Sequence, residues 1–137
     1  MSTKFTERAG KALDNAVGFA EEFGHTFIGS EHILLALAED KDSHVAEVLA
    51  RYGVDSEKIK NAIVDYDIGC GYKTHLTPRD ITPKVRKLLM DATEISKQNK
   101  DDIIKTEHIF LAICKGEESG ATIILHKLGV DLEKILL

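Results

Sequence analysis

Gly29-Ser30-Glu31-His32-Ile33-Leu34-Leu35-Ala36 returns as Lys105-Thr106-Glu107-His108-Ile109-Phe110-Leu111-Ala112, and this repetition decides the fold. Extending the match outward in both directions aligns residues 5–61 with residues 81–137 without an insertion or deletion. Thr6 falls on Thr82, Glu31 on Glu107 and Gly53 on Gly129, all at an offset of 76, and about a third of the paired positions are identical. The chain reads as a duplicated unit with two repeat-related candidate sites.

Apolar spacing identifies what is duplicated. Ala9, Ala12, Leu13, Ala16, Val17, Ala20 and Phe23 form a stripe along one face of a helix expected over about 6–23. Its counterpart opens at Thr82-Pro83, a capping hydroxyl followed by proline at the first helical position, and continues through Val85, Leu88, Leu89, Ala92 and Ile95. After the loop at residues 24–29, Ser30 is expected to cap a second helix carrying Ile33, Leu34, Leu37 and Ala38, with Thr106 in the same role. Third helices are expected near 43–51 and 119–127, ending at Gly53 and Gly129, where a left-handed cap is wanted. Asp55 and Asp131 then cap fourth helices near 56–64 and 132–137. Residues 65–80 contain two glycines, a proline and no sustained period, and read as a connector. No segment alternates as a strand would. The expected fold is all-α: eight helices in two tandem four-helix repeats with pseudo-two-fold symmetry, forming one domain over residues 1–137.

Bulk properties narrow the function. At 137 residues the chain is long enough to bury roughly 68–70% of its unfolded surface without staples. A formal charge of −5 and a pI near 5.7 provide no global field for nucleic acid or an anionic membrane. Cys70 and Cys114 form no CxxC pair, which points to a reducing compartment and against structural zinc. No stretch approaches the ~18 apolar residues of a membrane span, and the first residues lack a signal-peptide pattern, so a cytoplasmic protein is expected. A nucleotide-binding GxxxxGK[ST] string is also absent, so any ATP chemistry belongs to another domain or chain.

Glu31-His32 and Glu107-His108 invite a metalloprotease reading, but that motif needs two histidines four residues apart on one helix, and each helix here offers one. His25 aligns with Asp101, so no histidine pair is duplicated. The expected role of His32 and His108 is a local hydrogen bond beside the loop preceding their helix. Cys114 aligns with Ala38 and reads as small-residue packing. No serine or cysteine sits in a nucleophile turn with a paired base. No catalytic residue, metal or cofactor is therefore expected. Thr6, Glu31, Thr82 and Glu107 remain. As ordinary structure they are two N-caps and two acids favoured by helix dipoles. As chemistry, free N–H groups at a helix start hold an oxyanion while a nearby carboxylate takes a guanidinium.

At these residues the chain resembles the N-terminal domain of the Clp AAA+ unfoldases, most closely the ClpC type. The likeness rests on Phe5-Thr6-Glu7-Arg8-Ala9, Ile81-Thr82-Pro83 and the two Glu-His-Ile strings, and it spans nearly the whole chain. The resemblance implies a noncatalytic domain that docks substrates and adaptors on an ATP-driven unfoldase ring serving a partner peptidase. It also implies phosphoarginine binding in each repeat, at Thr6 with Glu31 and at Thr82 with Glu107. Lys100, Asp101 and Lys105 replace Gly24, His25 and Gly29 and give the second loop a different charge and less backbone freedom. The alternative is a docking module for an adaptor or unfolded segments, without phosphoarginine recognition. Such a module is either part of a longer unfoldase or a free-standing regulator. The isolated chain is expected to be a monomer.

Overall fold

The computed structural model describes residues 4–135. Seven α-helices follow one another: α1 (Glu7–Glu22), α2 (Ser30–Glu39), α3 (His44–Arg51), α4 (Ser56–Tyr66), α5 (Pro83–Gln98), α6 (Thr106–Lys115) and α7 (Gly120–Lys127). A single 3₁₀ turn, Leu132–Lys134, stands where an eighth helix was expected, and residues 136 and 137 lie outside the described residues. The all-α expectation holds. The fourth element shortens in the second repeat because Asp131 caps Glu133 at 3.1 Å, closing a tight turn, whereas Asp55 caps Lys58 at 2.9 Å and starts a full helix.

α2 and α6 are the central helices. In α2 every residue from Ser30 to Ala38 is buried, and in α6 the same holds for Ile109, Phe110, Ala112, Ile113 and Cys114. α2 packs against α1, α3, α4 and α7, while α6 packs against α5, α3 and α1. The four buried alanines of α1, at 9, 12, 16 and 20, leave room for α2 to approach closely. Each fully buried leucine of α2 contributes about 1.5–3 kcal/mol, which fixes this helix as the reference against which site residues are positioned. Gly53 (φ 71°) and Gly129 (φ 86°) close the third helices in the left-handed conformation expected of them.

The repeats are stitched across one another. Thr6 N–H donates to Ile104 O at 3.0 Å and Ile104 N–H to Lys4 O at 2.9 Å. Symmetrically, Thr82 N–H donates to Ile28 O at 3.1 Å and Ile28 N–H to Asp80 O at 2.8 Å. Phe5 with Ile104, and Ile28 with Ile81, thus form two isolated parallel bridges. The start of each long helix is tied to the loop that precedes the other repeat's second helix. Regular connector begins only after Tyr66, since residues 65 and 66 extend α4. The connector folds back on the end of α1: Thr74 N–H donates to Glu21 O at 3.1 Å, and Leu76 N–H to Glu21 Oε2 at 2.8 Å.

Candidate functional site

The expected capping hydroxyl of α2 does something else. Gly29 is the N-cap, Ser30 is already helical, and the N-terminal amide at Gly29 is met by His32 Nδ1 at 2.9 Å. Ser30 Oγ instead accepts from Ala121 N–H at 2.9 Å, so α2 caps the start of α7 from the other repeat. Lys105 likewise is the N-cap of α6, and its N–H donates to His108 Nδ1 at 2.9 Å. Thr6 and Thr82 cap as expected, accepting from Ala9 N–H at 3.0 Å and Val85 N–H at 3.1 Å.

The histidines have the local partners foreseen for them. Because His32 Nδ1 accepts, its proton sits on Nε2, which donates to His25 Nδ1 at 2.6 Å; His25 Nε2 then donates to Asp67 O at 2.8 Å. This chain runs from the head of α2 to the connector. It requires both rings to be neutral. Burial first, and then the neighbouring His25, with which a second proton would have to share the relay, hold the His32 imidazole down to about 4. In the second repeat Asp101 Oδ2 takes the place of His25, 3.2 Å from His108 Nε2. Cys114 is buried, which pushes its thiol up to about 12, in keeping with a packing role.

A hollow of about 320 Å³ opens at the head of α2. Glu31 lies on its wall with Gly29, Thr82, Lys84, Gly120 and Tyr66 around it, and Phe27, Asp67 and Ile123 complete the apolar and acidic rim. The resemblance paired Thr6 with Glu31 and Thr82 with Glu107; the cross-stitching exchanges these partners. Thr82 shares the hollow with Glu31, and Thr6 is bonded beside Ile104, two residues before the head of α6 that carries Glu107. Sequence reasoning placed the four residues on helix starts but could not see which starts meet.

Glu31 is only 9% exposed. Burial pushes its carboxyl above the usual carboxylate range; its own amide N–H and His25 pull it down, and Asp67 raises it further. Among the described residues no side-chain cation pairs with it. The carboxylate sits between two glycines: a Cβ on Gly29 or on Gly120 would overlap Glu31 Oε1, and one on Gly120 would lie 3.3 Å from Tyr66 Cε2. Tyr66 is raised in turn by burial and by Glu31, Asp67 and Glu118. Lys84, at the start of α5, donates through Nζ to Glu118 O just before α7. The lining of the hollow thus combines the acids Glu31 and Asp67 with the Lys84 ammonium and the starts of α5 and α7, the last of which Glu31 itself abuts at Gly120. Gly120, Lys84, Tyr66 and Ser30 were missed from sequence. The signal that would have found Gly120 is its alignment with His44, the same kind of exchange as Gly29 with Lys105.

The chain is a duplicated helical domain with a hollow lined by charged residues at the head of α2. The chain belongs to the Clp repeat (R) N-terminal domain family, which it matches over residues 4–128. It is 35% identical over 134 residues to the negative regulator of genetic competence ClpC/MecB of Bacillus subtilis, and 34% identical over 134 residues to the chaperone protein ClpB of Oceanobacillus iheyensis. These alignments cover 98% of this chain and 16% of each relative, so the chain spans about a sixth of their length. Among solved structures, the N-terminal domain of ClpD from Arabidopsis thaliana superimposes with a TM-score of 0.79 at 20% identity, covering 95% of this chain and 88% of that one. The complex of a ClpV N-domain with a VipB peptide superimposes with a TM-score of 0.69 at 23% identity, covering 95% and 81%. The domain is noncatalytic, as its family is. No helix among the described residues is long and apolar enough to cross a membrane.

Proposed function

We propose that this chain is the substrate- and adaptor-recognition domain of a ClpC-like ATP-dependent unfoldase of the cytoplasm, and that the Glu31 hollow receives a phosphorylated arginine side chain. The observation that carries this reading is the buried Glu31 carboxylate, desolvated and unpaired by any cation among the described residues, lining a hollow open to solvent. A planar guanidinium supplies what such a carboxylate lacks: a delocalised cation with paired donors and weak hydration. Glu31, Asp67 and Glu118 make the pocket a poor host for phosphate alone. A ligand whose guanidinium faces Glu31 and whose phosphoryl group reaches Lys84 at the start of α5 satisfies both charges of the hollow. Glu107 and Thr6 hold the equivalent positions in the second repeat, where Lys100, Asp101 and Lys105 alter the neighbouring loop. In a full-length relative's context, the module would sit on an unfoldase ring and pass marked proteins to its peptidase.

Calorimetry on the purified chain tests this reading. Phosphoarginine should bind, with arginine and inorganic phosphate each far weaker, and Glu31→Gln should remove the binding. Equal affinity for all three compounds, or an unaffected Glu31→Gln variant, would contradict it.

A second reading is favoured by the rim. Phe27 is 59% exposed, and Tyr66 and Ile123 stand beside it at the mouth of the hollow, an apolar fringe suited to an extended segment of an adaptor or an unfolded client. The VipB peptide complex of a ClpV N-domain is consistent with peptide docking on this fold. Binding to a peptide array that ignores arginine phosphorylation but is lost with Phe27→Ser would favour this reading over the first.

A further inference from the structure

We infer that this duplicated chain keeps one competent guanidinium receptor, the one at Glu31, and that Gly29 and Gly120 are the residues that make it competent. The inference rests on the reading of the Glu31 hollow above and adds to it a stoichiometry and a pair of specificity-determining positions. With a Cβ built on Gly29, Glu31 Cδ would stand 2.8 Å away; built on Gly120, it would stand 2.9 Å away, and Oε1 would be nearer still in both cases. Real side chains do not pack at such distances. Glu31 therefore occupies a slot walled on two sides by bare backbone, one wall from each repeat.

The second repeat has neither wall. At the same offset Lys105 stands for Gly29 and His44 for Gly120. α6 packs on α3 as α2 packs on α7, so the repeat relation puts side chains, those of Lys105 and His44, at the positions where bare backbone walls the Glu31 slot. Glu107 is accordingly half-buried where Glu31 is buried. Each replacement also brings a charge-bearing group. Lys105 Nζ lies 3.7 Å from Asp101 Oδ1, and His44 Nδ1 lies 3.8 Å from Glu47 Oε2. A half-exposed carboxylate in this setting stays hydrated and gains little from a guanidinium, whereas a desolvated one gains much.

The test is calorimetry with free phosphoarginine as the probe, on the unaltered chain and on three variants. One ligand per chain is expected. Glu31→Gln should weaken binding by about 30-fold or more, Glu107→Gln should leave affinity within about twofold, and the double variant Lys105→Gly/His44→Gly should acquire a second binding event. Two ligands on the unaltered chain, or loss of half the sites in Glu107→Gln, would overturn the inference while leaving the receptor reading intact. A folded double variant that still takes one ligand would overturn the assignment of these two positions. No binding by the unaltered chain would remove the receptor reading and this inference with it. Should thermal melts show the double variant unfolded, the unaltered chain and Glu107→Gln decide the matter.

Discussion

The heads of α2 and α6 share a backbone and differ in chemistry. Both begin after an extended N-cap whose amide is met by the histidine three residues on, at 2.9 Å in each case. Beyond that bond they part. His32 leans on a second neutral ring, His25, and His108 on a carboxylate, Asp101. Gly24 and Lys100 both adopt the left-handed conformation, at φ 73° and 60°, although only glycine does so without strain. Duplication preserved the hydrogen-bond geometry that builds the helix start, while the side chains that determine what the start can bind were exchanged. The lesson is that a repeated motif transmits a scaffold more faithfully than it transmits a site.

The strongest way to break the contrast is to fill the slot. Gly120→Ala places a methyl group on the Glu31 carboxylate, so phosphoarginine affinity should fall at least tenfold, about 1.4 kcal/mol. The equivalent change at His44 should leave affinity unaltered, and calorimetry on both variants reads the difference.

Acid should act on the two heads unequally. The His32 imidazole is held at about 4, below its ordinary 6.5, so its neutral-state contribution is complete above pH 6.5 and is lost as pH falls toward 4. That loss amounts to about 3 kcal/mol at its limit. Glu31 works in the opposite sense: its carboxyl is raised, so its contribution is greatest below the ordinary 4.5 and is lost as pH rises through its folded value. Urea unfolding of His32→Asn between pH 7 and 4 should show a shallower decline than the unaltered chain; parallel declines would refute the neutral-ring relay. Ligand affinity should also fade on acidification as Glu31 takes up its proton, starting above the usual carboxylate range.

Smaller effects sharpen the same comparison. Ser30→Ala uncaps α7 and should cost about 1 kcal/mol in denaturant unfolding, an effect reaching across the repeats. Lys100→Gly relieves a left-handed lysine and should stabilise by about 0.5 kcal/mol after the entropy of the added glycine is set against it. Gly24→Ala should destabilise, since its Cβ would meet Tyr72 O at 2.7 Å as well as the unfavourable φ.

What the sequence disclosed follows from locality. Apolar stripes, Thr6, Thr82 and Asp55 as caps, and Gly53 and Gly129 as helix ends depend on neighbours within a turn, and all stand as read. The length of the last element was misjudged because Asp131 caps a 3₁₀ turn with the same residue type that starts a helix at Asp55. The site was half legible. Glu31 and Thr82 were visible as helix-start residues, but the pairing between them depends on Ile28 meeting Asp80 and Thr82 across more than fifty residues, which no local pattern encodes. Ser30 carries the same lesson. A hydroxyl at a helix start was read as its own cap, whereas it serves Ala121 ninety-one residues away.

The central claim is that Glu31, walled by Gly29 and Gly120 and faced by Thr82 and Lys84, is the receptor of this chain. The most direct measurement is an amide NMR titration of the isotope-labelled chain with phosphoarginine. Shifts that saturate together at residues 29–31, 82–84 and 119–121, with residues 105–108 unmoved, are the expected result. Equal movement at the head of α6, or a quiet α2 head at saturating ligand, would contradict it.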